Sequence, residues 1–292
     1  MTSRLAVSLA PPDTDVCLSL LGELAPRIGM AEVRLDLMDS FDLPRLITAA
    51  PCPLIITCRP PREGGRFAGA EAERLDILAQ AMDLGCAYVD VEWDCLAALF
   101  ARRRTQTQLV ASRHWTDDMP TSLWPAYDEL RRQADVVKLV GMARRASDVV
   151  PIFELLHRAA SPVIGIAMGE AGRITRLLAP CFGSCLLTYG AHAPAAVTAP
   201  GQLSVREMVE RYHLHAAGPH TEIHLHLCAS AASTCAVIEK NADVAPGAAL
   251  YVPFVVAQEQ VAGVVPGLRA YLPHLTITAD PDLAASLRNL AA

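Results

Sequence analysis

Of the 25 basic side chains in this 292-residue sequence only two are lysine, Lys138 and Lys240, which leaves 23 arginines. An arginine keeps its proton, whereas a buried lysine can lose one and become a nucleophile. Lys138 stands in Asp135-Val136-Val137-Lys138-Leu139-Val140, amid aliphatic neighbours. Burying an unpaired ammonium there is costly. Two readings are open. Either Lys138 pairs with a carboxylate such as Glu92 or snorkels to a rim, or it gives up its proton and condenses with a carbonyl to form an iminium. His114 ends the apolar run that precedes Lys138, so it can reach the same region. A histidine there suits proton transfer in both directions. Arg34, Arg59 and Arg176 come from three other strand ends. Three guanidiniums in one pocket repel each other unless an anion lies among them, and a small carboxylate fits because arginine binds it bidentately. The alternative is three separate ion pairs with Glu32, Asp36 and Glu63.

These residues need a scaffold that brings them to one mouth. Apolar runs recur at residues 4–9, 32–37, 54–58, 87–92, 109–112, 136–140, 163–167 and 185–189. They read as parallel strands covered on both faces. Amphipathic helical stretches separate them, among them 70–84, 122–134 and 147–159. Eight strand–helix units predict an α/β fold: a (β/α)₈ TIM barrel over residues 1–215, followed by a small α/β appendage over 220–292. A doubly wound open sheet is the rival, but no GxGxxG follows the first strand. A barrel collects its chemistry at the C-terminal ends of its strands. That rule nominates Ser8, Glu32, Arg34, Asp36, Arg59, Glu63, Asp90, Glu92, Ser112, Arg113, His114, Lys138, Met168, Arg176, Thr198 and Gln202.

Composition narrows the function. A net charge of −6 argues against a general affinity for nucleic acid or anionic membranes. No apolar run is long enough to span a bilayer, and the first nine residues do not read as a secretory signal. The nine cysteines are odd in number and scattered, with no CxxC pair and no Cys/His cluster at zinc spacing. They read as buried thiols of a cytoplasmic protein, and no metal is expected.

In order along the chain, the pieces Glu32-Val33-Arg34-Leu35-Asp36, Thr57-Cys58-Arg59 with Glu63-Gly64-Gly65, Asp90-Val91-Glu92, Ser112-Arg113-His114, Asp135-Val136-Val137-Lys138, Met168-Gly169, Arg176 and Ala199-Pro200-Gly201-Gln202 resemble the type I 3-dehydroquinate dehydratases of the shikimate pathway. The resemblance covers about residues 4–210. It implies a lyase that turns 3-dehydroquinate into 3-dehydroshikimate and water. Lys138 would form the Schiff base, His114 would move the protons, and Glu63 would orient His114. Ser8, Glu32, Arg34, Arg59, Arg176, Thr198 and Gln202 would bind this small-molecule substrate. No metal or organic cofactor enters such a reaction. Thr198 replaces the family's usual serine, Tyr189 stands where phenylalanine is common, Trp115 departs from the usual continuation after His114, and the lid at residues 191–202 is alanine-rich. Another class I aldolase-like lyase, or a barrel that binds a metabolite without catalysis, remains as an alternative.

The remaining residues resemble a truncated, degenerate shikimate dehydrogenase substrate-binding domain, best at Tyr251-Val252-Pro253-Phe254 and Gly267-Leu268-Arg269-Ala270. In this register Asp280 stands in place of that family's lysine, and no dinucleotide-binding half follows. The apolar segment 249–256 must be covered by the barrel's outer helices, by another pathway enzyme or by a second copy of the tail. The last makes a homodimer the expected assembly.

Overall fold

The computed structural model describes residues 3–103, 106–193 and 195–290; the outermost residues of the two expected domains, 1–2 and 291–292, lie outside this set. Strands and helices alternate through the first 210 residues: β1 (Leu5–Leu9), α1 (Thr14–Leu24), β2 (Met30–Arg34), α2 (Leu43–Ala49), β3 (Leu54–Thr57), α3 (Glu71–Asp83), β4 (Tyr88–Glu92), α4 (Leu96–Arg102), β5 (Gln108–Trp115), α5 (Trp124–Leu130), β6 (Val136–Met142), α6 (Val150–Arg158), β7 (Val163–Met168), α7 (Arg173–Leu178), β8 (Thr188–Ala191) and α8 (Val205–Glu210). Several helix starts are set by side-chain caps. Asp13 accepts from Val16 N, Asp42 from Arg45 N and Ser204 from Glu207 N, each satisfying an otherwise orphan amide.

All eight strands pair in parallel, in the order β7-β6-β5-β4-β3-β2-β1-β8. The ring closes where Val163 meets Cys185 and Leu186 N donates to Val163 O at 2.9 Å. This is a (β/α)₈ barrel, and an open doubly wound sheet is excluded. Several strand ends differ from the sequence reading, β5 and β6 running on to Trp115 and Met142. The eighth strand begins at Thr188 rather than residue 185, because residues 185–186 make only the closing bridge. The second begins at Met30 and stops at Arg34, where a 3₁₀ turn at Leu35–Leu37 takes over.

Strand alternation sorts the barrel into two cores. Leu5, Val7, Ala31, Val33, Leu54, Ile56, Val89, Val91, Leu109, Ala111, Val137 and Leu139 face outward and join the helices in one large apolar cluster. Ala6, Ile55, Val110, Val136, Val140, Ile164 and Ile166 face inward and fill a second, smaller one. The inward positions next toward the C-terminal mouth are polar, and they carry the site.

After α8 the chain forms β9 (Glu222–Cys228), α9 (Thr234–Glu239), β10 (Ala249–Val255), α10 (Val261–Tyr271), β11 (Leu275–Ala279) and α11 (Pro281–Arg288). The three strands make a separate parallel sheet with β9 in the middle. Helix α10 packs against α6 of the barrel. Gln260 Oε1 accepts from Ala146 N at 3.1 Å, and His157 Nδ1 donates to Tyr271 O at 3.0 Å. Leu250, Val252 and Phe254 of β10 are buried within this one chain. One face of the segment that suggested a homodimer is therefore covered within the chain, with the barrel's helices sharing in the cover, while Val255 stays 46% exposed.

Gly267 marks the closest approach at this seam: a Cβ there would lie 2.6 Å from a methyl of Val150. Gly263, on the same helix, has nothing within 4 Å. Overpacking of this kind costs about 1–3 kcal/mol. Gly267→Val should lower the urea midpoint of unfolding accordingly, while Gly263→Val should not. Equal midpoints for the two variants would contradict the seam.

Candidate active site

Lys138 lies inside the barrel, 4% exposed, and is neither at the rim nor paired with Glu92. Its Nζ donates to Glu32 Oε1 at 2.9 Å and to Asp90 Oδ2 at 2.8 Å. The ring of Tyr189 covers it, with its centroid 4.8 Å from Nζ. The register explains the meeting. Lys138 is level with Ser112 on β5, Glu32 with Ser8 on β1, and Asp90 with Thr57 on β3. These small hydroxyl residues complete the carboxylates' shells. Ser8 Oγ donates to Glu32 Oε2 at 2.8 Å, Thr57 Oγ1 to Glu32 Oε1 at 3.1 Å and Ser112 Oγ to Asp90 Oδ1 at 2.6 Å. Burial raises a carboxylate's pKa, yet Lys138 and the neighbouring arginines prevail at both sites, Arg34 beside Glu32 and Arg59 beside Asp90. Both acids are held below the usual carboxylate range.

Arg59 extends this lattice through the barrel wall. It pairs with Asp90 at 3.0 Å and with Glu92 at 2.8 Å, and Glu92 pairs in turn with Arg74 of α3, which is fully buried. Arg74 also holds Glu71 at 2.6 Å. Asp90 and Ser112 were nominated from their strand ends without a role, whereas Thr57 and Arg74 were not nominated at all. Thr57 could have been found from the polar inward position of its strand. Arg74 gave no signal, since it lies on a helix among surface-like charges.

The three arginines expected around an anion are not equivalent. Arg34 is bound by Asp36 through two hydrogen bonds, at 2.9 and 2.7 Å, and Arg59 by Asp90 and Glu92. Arg176, 1% exposed, has no carboxylate partner among the described residues. Its Nε is unsatisfied, and Nη2 reaches only Pro200 O at 3.5 Å. Burial lowers its pKa to about 10. A buried guanidinium in this state can take an anion that arrives from solution.

His114 follows Ser112 on the same inward face of β5, and its Nδ1 lies 2.8 Å from Glu63 Oε2. Burial together with Arg59 and Lys138 drives the imidazole pKa well below its ordinary value. Burial pushes the Glu63 carboxyl up to about 8, against the opposing pull of Arg59. His114 and Glu63 are therefore a neutral pair near pH 7.

All ten residues given a role by the resemblance come to this end of the barrel. Glu32, Arg34, Arg59, Glu63, His114, Lys138, Arg176, Thr198 and Gln202 line a cavity of about 280 Å³ with a floor of Val140, Met142, Ile166 and Met168. Ser8 touches it through its bond to Glu32 and through Thr198 Oγ1, which donates to Ser8 Oγ at 3.0 Å. Gln202 Oε1 accepts from Thr198 N at 2.8 Å, fixing the loop over the mouth. Gly201 rests on Gly169 with φ +76°, and a Cβ there would lie 2.3 Å from Gly169 O. A wider cleft of about 1270 Å³ opens at the other end of the barrel, beside Ala216–Pro219, but it gathers no comparable set of ionisable groups.

An amine, a neutral histidine and an arginine without a counter-ion at the C-terminal mouth of a barrel are an arrangement that can serve an enzyme's chemistry on a small molecule. Residues 5–219 match the family described as type I 3-dehydroquinase, and the chain belongs to that family. It is 36% identical over 219 residues to a 3-dehydroquinate dehydratase of Desulfotalea psychrophila, covering 70% of this chain and 95% of that one. It is 32% identical over 206 residues to the chloroplastic bifunctional 3-dehydroquinate dehydratase/shikimate dehydrogenase of Arabidopsis thaliana, covering 67% of this chain but only 34% of that one. The fold also matches the solved structure of the dehydroquinate dehydratase and shikimate dehydrogenase of S. pombe, with a TM-score of 0.61 and 21% identity. That match covers 99% of this chain, tail included, and 58% of the other.

The Glu63–His114 pair makes a prediction about stability. A carboxyl at about 8 in the folded chain and near its ordinary 4.5 in the unfolded chain leaves the unfolded state with fewer protons between those values. Stability at this site therefore falls as pH rises from about 4.5 to about 8. Glu63→Gln cannot ionise. Its stability relative to the parent should rise across that window and level off above it, as measured by urea unfolding at a series of pH values. A difference that does not vary with pH would refute the neutral pair.

Proposed function

We propose that this protein dehydrates 3-dehydroquinate to 3-dehydroshikimate through a Schiff base on Lys138. The observation that carries the reading is the meeting of three groups in one 280 Å³ cavity: the Lys138 amine, the His114 imidazole and an Arg176 guanidinium without a counter-ion. Family membership and the D. psychrophila relative support the reaction class.

The chemistry follows from the charges. Arg176 takes the substrate carboxylate, which relieves its own burial. Lys138 gives up its proton, attacks the ketone and expels water, and the resulting iminium carries the same single positive charge that the ammonium had. Glu32 and Asp90 are thus counter-ions to the amine before the reaction and to the iminium during it. The iminium draws electrons from the adjacent C–H. His114, donating Nδ1–H to Glu63, presents its free Nε2 to take that proton. The enamine then expels the β-hydroxyl, which leaves as water with the proton that His114 returns, and hydrolysis frees the lysine. Ser8, Arg34, Arg59, Thr198 and Gln202 hold the substrate's hydroxyls and close the loop over them. The tail is read as a shikimate dehydrogenase-like fragment with a structural role, spanning residues 220–292 beside a barrel domain of 1–215.

Borohydride reduction in the presence of 3-dehydroquinate should leave one substrate-mass adduct on Lys138 in the parent and none in Lys138→Arg, which should also lose dehydration altogether. His114→Ala should still trap the adduct but turn over about 10²- to 10⁴-fold more slowly. Near-normal turnover by Lys138→Arg would rule out the covalent route. An adduct without dehydroshikimate would favour a different lyase. Separately, Arg176→Ala should raise KM about 10- to 150-fold, equivalent to about 1.5–3 kcal/mol. Arg66, outside the cavity lining, should be nearly silent when replaced by alanine. Equal, small effects would remove Arg176 from the carboxylate site.

A further inference from the structure

The tail sheet carries a second cluster of ligand-type side chains that the dehydration does not use. On β9, Ile223, Leu225 and Leu227 point to the fully buried face, so His224, His226 and Cys228 point to the other. On β11, Thr278 pairs with His226, and Asp280 follows two residues later on the same face, its backbone N donating to Leu227 O. His226, Cys228 and Asp280 therefore converge where the parallel strands end. Their donor atoms all lie within 4.8 Å of one another, with His226 Nε2 3.0 Å from Asp280 Oδ1. Carboxyl ends of parallel strands are where such sheets place ligands.

We propose that His226, Cys228 and Asp280 form a binding site for a divalent transition-metal ion of the zinc type. Nitrogen, sulfur and carboxylate donors about a tetrahedral ion at about 2.0–2.3 Å stand some 3.3–3.8 Å apart, so a small rearrangement suffices in which the 3.0 Å His226–Asp280 pair opens slightly and the wider separations, none above 4.8 Å, close. A thiolate donor selects zinc-like ions over magnesium or calcium. The surroundings are those of a supported site. His226 Nδ1 is bonded to Thr278 Oγ1 at 2.8 Å, which fixes the ring and leaves Nε2 to the ion. Asp280 Oδ2 accepts from Ser233 Oγ at 2.6 Å and from Ala229 N at 2.9 Å, which leaves Oδ1. Cys228 is fully buried and forms the floor, while the His226 and Asp280 side chains are 19% and 18% exposed and form the opening. Three protein ligands leave a fourth position for water. On binding, the thiol proton passes to solvent as the metal–sulfur bond forms. The sequence hid this cluster because Asp280 is 52 residues from the nearer of the other two ligands.

The test is cobalt titration of the full chain. One Co²⁺ per chain should bind with a thiolate-to-cobalt charge-transfer band, and Zn²⁺ should displace it. Cys228→Ser should abolish the band, and Asp280→Asn and His226→Gln should weaken binding by at least about tenfold. Cys235→Ser, which removes the exposed thiol nearby, should change nothing. Should Cys228→Ser fail to fold, Asp280→Asn still decides, because that side chain lies near the surface. Absence of the band, its survival in Cys228→Ser, its loss in Cys235→Ser, or unchanged affinity in Asp280→Asn would each overturn the site and leave His226 and Asp280 as an ordinary hydrogen-bonded pair.

Discussion

The ammonium of Lys138 between Glu32 and Asp90 is the constraint from which the rest of the barrel mouth follows. A positive charge in a nearly dry interior is tolerable only with anions in contact, and those anions need their own partners. Each requirement recruits the next: two carboxylates call for Ser8, Thr57 and Ser112, Asp90 calls for Arg59, and Arg59 calls for Glu92 and Arg74. Counted outward from the lysine, three cations meet three anions before Glu71 is reached at the helix surface. Arg176 stands outside this balanced set, so the site as a whole lacks one negative charge. On the proposed reading, the substrate's carboxylate makes up that deficit.

The barrel was legible because its strands are apolar runs separated by helical spacing, and the lone lysine because arginine does all other cationic work in that half of the chain. The strand ends were less legible. Residues 35–37 are as apolar as the strand before them, yet Arg34 turns back toward Asp36 and the ladder stops there. Residues 185–187 look like strand but reach only one neighbour. The pairing of the arginines was legible only in part, with Asp36 among the partners offered by the sequence. Asp36 is two residues from Arg34, but the partners of Arg59 come from β4, and nothing in local spacing tells a paired guanidinium from a free one. The same limit applies to Lys138, whose carboxylates lie 106 and 48 residues away. Non-local partners are set by register around the ring, and register is a property of the closed sheet.

The tail illustrates a different limit. Composition marked residues 249–256 as needing cover and left several candidates for it. The structure covers Leu250, Val252 and Phe254 within the chain, from the tail's own layers and from α6 through α10, and leaves Val255 exposed. A helix containing Pro266 and Gly267 is a poor helix by propensity, yet the missing side chain at Gly267 is what lets it approach Val150. Local preference gives way to the fit between two packed surfaces.

Arg74 lends the barrel wall an unusual vulnerability. Most outer helices of such a barrel can drift in sequence so long as their inner stripe stays apolar, and the mouth does not register the change. Helix α3 lacks that freedom. A neutral replacement of Arg74 would strand Glu92 in the dry interior, and Glu92 would then compete with Asp90 for Arg59. An inherited change on the far side of the wall would thus reach Lys138 through rearranged ion pairs, with no atom of the cavity lining altered. Variation in α3 among descendants of this protein should therefore be paced by the chemistry as well as by packing.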